Sequence, residues 1–200
     1  MKPILFIDFD GTLCRDRFWR SFEQNNSEKI QTAFRANKSK ISDWMRGSYT
    51  SEEINNLISK ETNIPFDNLW QVFVADCKSM RIDSEALNRI QNLRKYYHAI
   101  LVTDNMDCFS RFTVPALNLD KYFDSIINSF NIKKRKDDNG GELFMQLANK
   151  FNSKIEYCIL ADDSKKTCGI FSKLGGESCL VRLEKPLSYW LEKIGNEKRN

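Results

Sequence analysis

The most informative segment of the chain is Ile4-Leu5-Phe6-Ile7-Asp8-Phe9-Asp10-Gly11-Thr12-Leu13, close to the amino terminus. Its short run of branched and aromatic residues is typical of a central strand in a parallel sheet, which is covered on both faces. Burying ionised groups beside such a run is unfavourable unless a cation or hydrogen-bond donors compensate. We therefore expect Asp8 and Asp10 at the carboxyl edge of the sheet, where open α/β sheets bind ligands.

The composition indicates a globular protein with no membrane partner. Hydrophobic residues make up 41% of the 200 residues, which is enough for a core domain with a small insertion. The chain shows neither the apolar core of a signal peptide nor a run of the roughly 20 residues that span a membrane. Six cysteines without a Cys-x-x-Cys pair predict buried thiols in a reducing compartment. We therefore expect a soluble, cytoplasmic protein.

The pattern of apolar residues divides the chain into a helical insertion and an α/β core. Helical spacing fills residues 15–80, where Thr50-Ser51-Glu52-Glu53 is a capping box. The first helical stripe consists of Phe18, Trp19 and Phe22. Four further strands are predicted, at residues 99–103, 125–130, 155–161 and 178–183. This alternation predicts a doubly wound parallel sheet built from residues 1–14 and 81–200, with an inserted all-helical domain of residues 15–80.

Four segments that follow predicted strands carry polar side chains suited to phosphoryl transfer. The carboxyl ends of parallel strands meet at one edge of a sheet, so these side chains should lie together. They are Asp8 and Asp10, Thr103, a lysine near position 136, and the pair Asp162 and Asp163. Several carboxylates cannot all be ionised in one place without a cation, and hard oxygen ligands suit Mg²⁺. The expected cofactor is therefore Mg²⁺.

The motif Asp8-Phe9-Asp10-Gly11-Thr12-Leu13 resembles the DxDGT[LV] signature of the haloacid dehalogenase-like (HAD) superfamily. The resemblance extends over the four polar segments in order, from Ile4 to about Leu183. It implies a Rossmann-like HAD core whose active site is covered by a helical type 1 cap. The cap corresponds to the predicted insertion of residues 15–80.

The resemblance also implies a role for each polar side chain. Asp8 is the expected nucleophile, which forms an aspartyl-phosphate, and Asp10 is the expected general acid and base. The expected phosphate-binding residues are Thr103, Asp104, Asn105 and Lys136. The expected metal ligands are Asp8, the backbone carbonyl of Asp10, Asp163 and, directly or through another ligand, Asp162.

The phosphate-binding lysine departs from the family pattern. Family members commonly carry Lys-Pro some two dozen residues before the acidic pair, and Lys136 fits that interval although Asp137 replaces the proline. Lys133 and Lys134 are its competitors. Asp104 stands where relatives often carry asparagine. Basic residues of the predicted cap could meet a second anionic group of the substrate, and they are Arg17, Arg20, Lys38 and Arg46.

The expected function is a Mg²⁺-dependent phosphatase, a phosphoric monoester hydrolase, acting on a small phosphorylated metabolite. The alternatives are a phosphomutase, a nucleotide or nucleic-acid end phosphatase, and a catalytically silent binding or regulatory protein on the same scaffold. The family's dehalogenases need no metal and lack the second aspartate, so Asp10 and the Asp162-Asp163 pair argue against that chemistry. The net charge of +4 is too small to indicate nucleic-acid binding, and a closed cap disfavours polymers. The substrate and the oligomeric state stay open.

Overall fold

The computed structural model describes residues 1–197 and contains a five-stranded, all-parallel sheet. The strands are β1 (Ile4–Ile7), β2 (His98–Thr103), β3 (Ser125–Asn128), β4 (Ile159–Asp162) and β5 (Glu177–Leu180). They lie in the order β3-β2-β1-β4-β5, so β1 is the central strand. The predicted α/β fold with a parallel sheet is confirmed. Residues 198–200 of the predicted core domain lie outside the described residues.

The described residues form ten α-helices. They are α1 (Gln24–Ala36), α2 (Lys38–Trp44), α3 (Ser51–Thr62), α4 (Phe66–Lys78), α5 (Ser84–Leu93), α6 (Val114–Leu117), α7 (Ser129–Ile132), α8 (Glu142–Lys150), α9 (Lys165–Lys173) and α10 (Leu187–Glu197). A π-helical segment, Phe109–Thr113, precedes α6. None of these helices in residues 1–197 is long and apolar enough to cross a membrane.

The side chains of β1 explain its central position. Leu5 and Ile7 join an apolar cluster with α5 and α10, whereas Ile4 and Phe6 join a second cluster with α8 and α9. All four side chains have 0% exposure. Each contributes about 1.5–3 kcal/mol by leaving water. Both faces of β1 are filled in this way, and Asp8, the first ionisable residue after the strand, follows it directly.

Helices α1 to α4 form the helical insertion predicted between β1 and β2. Their apolar residues make a separate cluster around Trp44 and Phe73, which also takes in Met106 and Cys108 from the segment after β2. The predicted capping box at the start of α3 is present, with the Thr50 side chain accepting from the Glu53 backbone N–H. The insertion therefore packs on the loop that follows β2. The domain limits at residues 15 and 80 stay a prediction.

The helical pattern at the start of the insertion was misleading. The segment that contains Phe18, Trp19 and Phe22 forms turns, and α1 begins only at Gln24. Trp19 has a left-handed backbone conformation, with φ at 61°, which no α-helix of L-residues accommodates. The three aromatic rings are nevertheless buried or half-buried, so the apolar spacing reflects packing without helical structure.

Three predicted strands differ from the structure at their ends. β3 stops at Asn128, because the Asn128 side chain accepts a hydrogen bond from the Phe130 backbone N–H and caps α7. Residues 155–157 form a 3₁₀ turn, in which the Cys158 backbone N–H donates to the Ile155 carbonyl at 2.9 Å, and β4 pairs with β1 only from Leu5 opposite Ile159. β5 stops at Leu180, which lies opposite the last residue of β4.

Candidate active site

Two acidic segments meet at the carboxyl edge of the sheet because β1 and β4 are neighbours. The backbone N–H of Asp8 donates to the carbonyl of Ala161 at 3.0 Å, which continues the pairing of these strands. Asp162 is the last residue of β4 and has 0% exposure. Three carboxylate oxygens lie within 4.8 Å of one another, one each from Asp8, Asp162 and Asp163. The two motifs that the sequence separates by about 150 residues therefore form one cluster.

A tight turn at Gly11 makes room for the third carboxylate. Gly11 has φ at 78°, and a side-chain Cβ there would lie 2.2 Å from Oδ2 of Asp163. The backbone N–H groups of Leu13 and Cys14 both donate to the carbonyl of Phe9, each at 2.9 Å. Only glycine combines this conformation with such a close approach. The glycine of the motif therefore sets the distance between the β1 segment and Asp163.

Lys136 lies among the carboxylates. Its Nζ is 2.6 Å from Oδ2 of Asp162 and 2.9 Å from Oδ1 of Asp8, and the residue is only 4% exposed. Lys134 pairs instead with Glu142, and Lys133 is the left-handed residue that ends α7. Of the three lysines that the sequence left as competitors, Lys136 is the one that the structure brings to the cluster.

Asp104 holds the loop that carries this lysine. Its Oδ1 accepts from the backbone N–H of Lys136 at 2.9 Å, and its Oδ2 accepts from Nε of Arg135 at 3.2 Å. The side chain of Asp104, which was expected among the phosphate-binding residues, is thus turned toward the Lys136 loop. This contact was not evident from the sequence.

Asp10 has hydrogen-bond partners that differ from those of the Lys136 cluster. Asn105 donates from Nδ2 to Oδ2 of Asp10 at 2.9 Å, and Arg17 donates from Nη1 to Oδ1 at 3.2 Å. The Asn105 backbone N–H donates to the Ser129 hydroxyl at 3.0 Å. Asn105, expected among the phosphate ligands, therefore orients Asp10. Arg17 was noted in the sequence only as a basic residue of the predicted cap.

Burial sets the protonation of these groups. It is the main cause that raises the pKa of Asp8 to about 8, with Asp162 adding to the effect and Lys136 opposing it. Burial also raises the pKa of Asp10 to about 6, against the attraction of Arg17 and Lys136. For Lys136 burial acts in the opposite sense, but Asp8 and Asp162 outweigh it and raise its pKa. Lys136 is therefore a cation, and Asp10 can hold a proton near neutral pH.

Three buried oxygens at this edge have no hydrogen-bond partner among the described residues. They are Oδ1 of Asp8, Oγ1 of Thr12 and Oγ1 of Thr103. Oδ1 of Asp8 keeps the Lys136 ion pair, without the geometry of a hydrogen bond. A buried polar atom without a partner costs about 1–3 kcal/mol. Such atoms at the ends of β1 and β2 fit a site that receives a cation at Asp8 and an anion at the Thr103 hydroxyl.

Contacts from the helical insertion join it to the segments that follow β2 and β3 and to the loop that carries Lys136. Trp44 donates from Nε1 to Oδ1 of the buried Asp107 at 2.7 Å, and the Ser129 hydroxyl donates to the Met45 carbonyl at 2.7 Å. Arg46 forms an ion pair with Asp138, in the loop that carries Lys136. Asp8 itself is only 5% exposed.

Solved structures share this arrangement of sheet and insertion, although the amino-acid sequence matches no protein-family model and no curated protein. A predicted HAD-like family hydrolase from Porphyromonas gingivalis superposes with a TM-score of 0.71 at 16% identity, covering 100% of this chain and 99% of that chain. A HAD family enzyme from Bacteroides thetaiotaomicron, in a complex with magnesium and inorganic phosphate, gives 0.69 at 16% identity, with coverages of 91% and 95%. The chain has the HAD-like fold.

The HAD-like fold alone leaves the reaction open. The L-2-haloacid dehalogenase from Xanthobacter autotrophicus also superposes, with a TM-score of 0.63 at 14% identity over 90% of this chain and 78% of that chain. Similar folds thus include an enzyme crystallised with magnesium and phosphate and an enzyme named for dehalogenation. The choice between them depends on the side chains at the carboxyl edge.

Proposed function

We propose that the chain is a Mg²⁺-dependent phosphoric monoester hydrolase that forms an aspartyl-phosphate on Asp8. The observation that carries this proposal is the cluster of Asp8, Asp162 and Asp163, in which Lys136 pairs with the first two. A second aspartate of the motif, Asp10, is held by its own donors. A carboxylate nucleophile, a separate acid and base, and a cation for the phosphoryl oxygens are the parts that this reaction needs.

The residues present fit a magnesium ion. Asp8 and Asp163 offer carboxylate oxygens, and the Asp10 carbonyl is the third expected ligand. Both oxygens of Asp162 already accept hydrogen bonds, one from Lys136 at 2.6 Å and one from the Ser164 backbone N–H at 2.7 Å. We therefore assign Asp162 an indirect role. Bound Mg²⁺ would screen Asp8 from the negative phosphoryl group and lower its pKa.

The protein side chains then divide the reaction between them. An oxygen of Asp8 attacks phosphorus, the bond from phosphorus to the ester oxygen breaks, and Asp10 gives its proton to the departing oxygen. In the second step Asp10 takes a proton from water, which attacks the phosphorus of the aspartyl-phosphate and releases phosphate and Asp8. The Thr103 hydroxyl and Lys136 hold the phosphoryl oxygens in both steps.

The covered site supports a small substrate. Asp8 is 5% exposed, so a nucleic-acid chain would reach it only after a large movement of the surrounding structure. We propose a small phosphorylated metabolite. The cytoplasm is the proposed location, because each of the six cysteines is a buried free thiol, a state that suits a reducing compartment.

Dehalogenation is the second candidate, and the likeness to the Xanthobacter autotrophicus enzyme favours it. It would use Asp8 as the nucleophile, but it would give no chemical role to Asp10 or to the pair Asp162 and Asp163. The phosphatase proposal gives each of these groups a role, and we therefore prefer it.

The test is release of phosphate from phenyl phosphate by the purified protein, with Mg²⁺ and with a chelator. Asp8→Asn should abolish the release, whereas Asp120→Asn, a matched change at an exposed residue, should leave it intact. Release that needs both Asp8 and metal supports the proposal. A folded protein that is silent on phenyl phosphate and on a panel of phosphorylated metabolites would favour the binding-protein alternative. Halide release from 2-haloacids would favour dehalogenation.

A further inference from the structure

The helical insertion contains a cavity that the proposed reaction does not yet use. Its volume is about 460 Å³, within the usual range for small-molecule sites. It lies between the turns that precede α1 and one face of α1. The lining residues that matter here are Arg17, Phe18, Trp19, Ile30, Phe34 and Arg35.

Aromatic rings that pack edge to face form the apolar walls of the cavity. The ring of Phe18 packs against Trp19 at 4.8 Å between centroids, and Phe34 packs against Trp19 at 5.9 Å. The Trp19 indole is fixed from behind, because its Nε1 donates to Oδ1 of the buried Asn55 at 3.1 Å. These walls match a flat apolar ligand group.

The backbone of Trp19 is strained where it forms the wall. Its φ of 61° is unfavourable for a bulky residue and costs on the order of 1–3 kcal/mol. Burial of the indole, which is 5% exposed, and its bond to Asn55 hold it there. Strain of this kind is found where a side chain must take up a particular position for a ligand.

Arginines line the cavity, and the acids that pair with two of them, Asp10 with Arg17 and Asp76 with Arg20, lie outside its described lining. Arg17, Arg20 and Arg35 line it, and no acidic residue stands among its described lining residues. Arg20 is committed to the carbonyls of Asp76 and Ser79, at 2.8 and 2.9 Å. Arg35 has only a 3.5 Å contact with Gln31, and the Arg17 side chain is 55% exposed. Arg35 therefore has no acidic partner among the described residues, whereas Arg17 already uses its Nη1 for Asp10 and for the Asp16 carbonyl and can offer an anion only its other N–H groups.

Arg17 connects this cavity to the reacting atoms. Its Nη1 lies 3.2 Å from Oδ1 of Asp10, the residue proposed to protonate the departing oxygen. A group that leaves with that oxygen must extend away from phosphorus on the Asp10 side. The cavity bordered by Arg17 is therefore on the leaving-group side of the site.

We propose that this cavity binds the leaving group of the substrate, and that this group is aromatic and carries an anionic substituent such as a carboxylate. The inference rests on the proposed function and deepens it by naming the substrate class. The ring lies against Phe18, Trp19 and Phe34, and the anion pairs with Arg17 and Arg35. Arg17 is thereby a specificity-determining residue.

The test measures binding without turnover, using three phosphonates that cannot be hydrolysed. Ethylphosphonate, benzylphosphonate and 4-carboxybenzylphosphonate are titrated calorimetrically into the Mg²⁺-loaded protein. The ring should tighten binding by about tenfold or more through apolar burial. The carboxylate should add about another tenfold through its charged hydrogen bonds.

Two kinds of variant locate the effect. The ratio of the dissociation constants of benzylphosphonate and 4-carboxybenzylphosphonate measures the affinity gained from the carboxylate. Arg17→Gln and Arg35→Gln should each remove most of this gain. Ser27→Trp changes a half-buried residue of α1 that lines the cavity. It should fill the cavity and remove the affinity that benzylphosphonate gains over ethylphosphonate. Arg89→Gln on α5 is the charge-matched control and should change neither ratio. Thermal unfolding checks that each variant is folded.

The outcomes separate this inference from the proposed function. Equal affinities of the folded wild type for all three phosphonates would overturn the inference, even if ethyl phosphate is hydrolysed and the proposed function stands. Graded affinities that depend on Arg17 and Ser27, in a protein without hydrolysis, would support the cavity and overturn the phosphatase. A folded protein that binds none of the three and hydrolyses no phosphate would overturn both.

Discussion

Replacing the nucleophile should make the metal-free protein more stable while abolishing its activity. Asp8 is 5% exposed, and burial raises its pKa from 3.8 to about 8, so the ionised carboxylate is unfavourable in the folded state. Asp8→Asn removes this charge with almost no change of shape. Lys136 keeps its 2.6 Å contact with Asp162 and is not left without a partner.

The size of this stabilisation and its pH dependence follow from the raised pKa of Asp8. The gap between 3.8 and about 8 corresponds to about 6 kcal/mol, at about 1.36 kcal/mol per tenfold change in the protonation equilibrium. This gap already includes the attraction to Lys136. The buried amide introduced by Asp8→Asn keeps a desolvation cost of about 1–3 kcal/mol, and relaxation of the site and entry of water reduce the cost of the buried charge in the wild type, so we expect a net gain on the order of 2 kcal/mol. A raised carboxyl pKa means that the folded state holds the proton more tightly. Wild-type stability therefore falls as the pH rises from about 4 to about 8, and the advantage of Asp8→Asn grows across that window.

Urea unfolding of chelator-treated protein at about pH 5 and about pH 8 measures the effect. At the higher pH we expect the free energy of unfolding of Asp8→Asn to exceed that of the wild type. In thermal unfolding the same difference corresponds to a melting temperature about 4–8 °C higher. Asp120→Asn is the control and should match the wild type. Added Mg²⁺ should stabilise the wild type more than the variant. An Asp8→Asn protein that is less stable than the wild type at about pH 8 without metal would refute the reasoning.

Three other substitutions test the site and the surface. Lys136→Met leaves buried carboxylates without their cation and should lower the free energy of unfolding by about 3–5 kcal/mol, measured in urea, whereas Lys134→Met should cost at most about 1 kcal/mol. Gly11→Ala puts a Cβ 2.2 Å from a carboxylate oxygen and should weaken Mg²⁺ binding in a calorimetric titration; Gly140→Ala shares the positive φ but contacts nothing within 4 Å and should bind Mg²⁺ normally. Hydrogen bonding to Arg81 lowers the pKa of Asp16 to about 2. The Asp16–Arg81 pair therefore stabilises the fold above about pH 4 and loses that effect toward about pH 2. Asp16→Asn should therefore cost about 0.5–1 kcal/mol near neutral pH and nothing near pH 2, and an equal loss at both pH values would contradict this assignment.

The sequence predicted the elements whose side chains repeat a pattern. β1 is an unbroken apolar run, and an unbroken run of that length fits only a strand that is covered on both sides. The acids after β1 and β4 were predicted to meet because parallel strands end at a common edge. These inferences need only the order of the strands, and the structure has the required neighbours.

Contacts that depend on loop conformation were beyond the sequence. Phe18 and Trp19 lie four and three residues before Phe22, which is helical spacing. Both nevertheless lie on turns, where Trp19 has a positive φ and both rings pack into the insertion. The bond from Asn105 to Asp10 joins residues 95 positions apart, and no pattern of spacing encodes it. The end of β3 at Asn128 depended on one side-chain cap, which competes with the strand for the same backbone group.

The two motif aspartates have different partners, and this difference links the proposed chemistry to the position of the helical insertion. Asp8 faces Lys136, which belongs to the core, whereas Asp10 is held by Asn105 from the core and by Arg17 from the insertion. If the insertion moves away to admit substrate, Asp10 loses one of its two donors while Asp8 keeps its cation. The nucleophile is then prepared in both positions, but the acid is fully oriented only when the insertion covers the site. In the proposed mechanism, proton transfer to the leaving group is therefore favoured only after bulk water has been excluded.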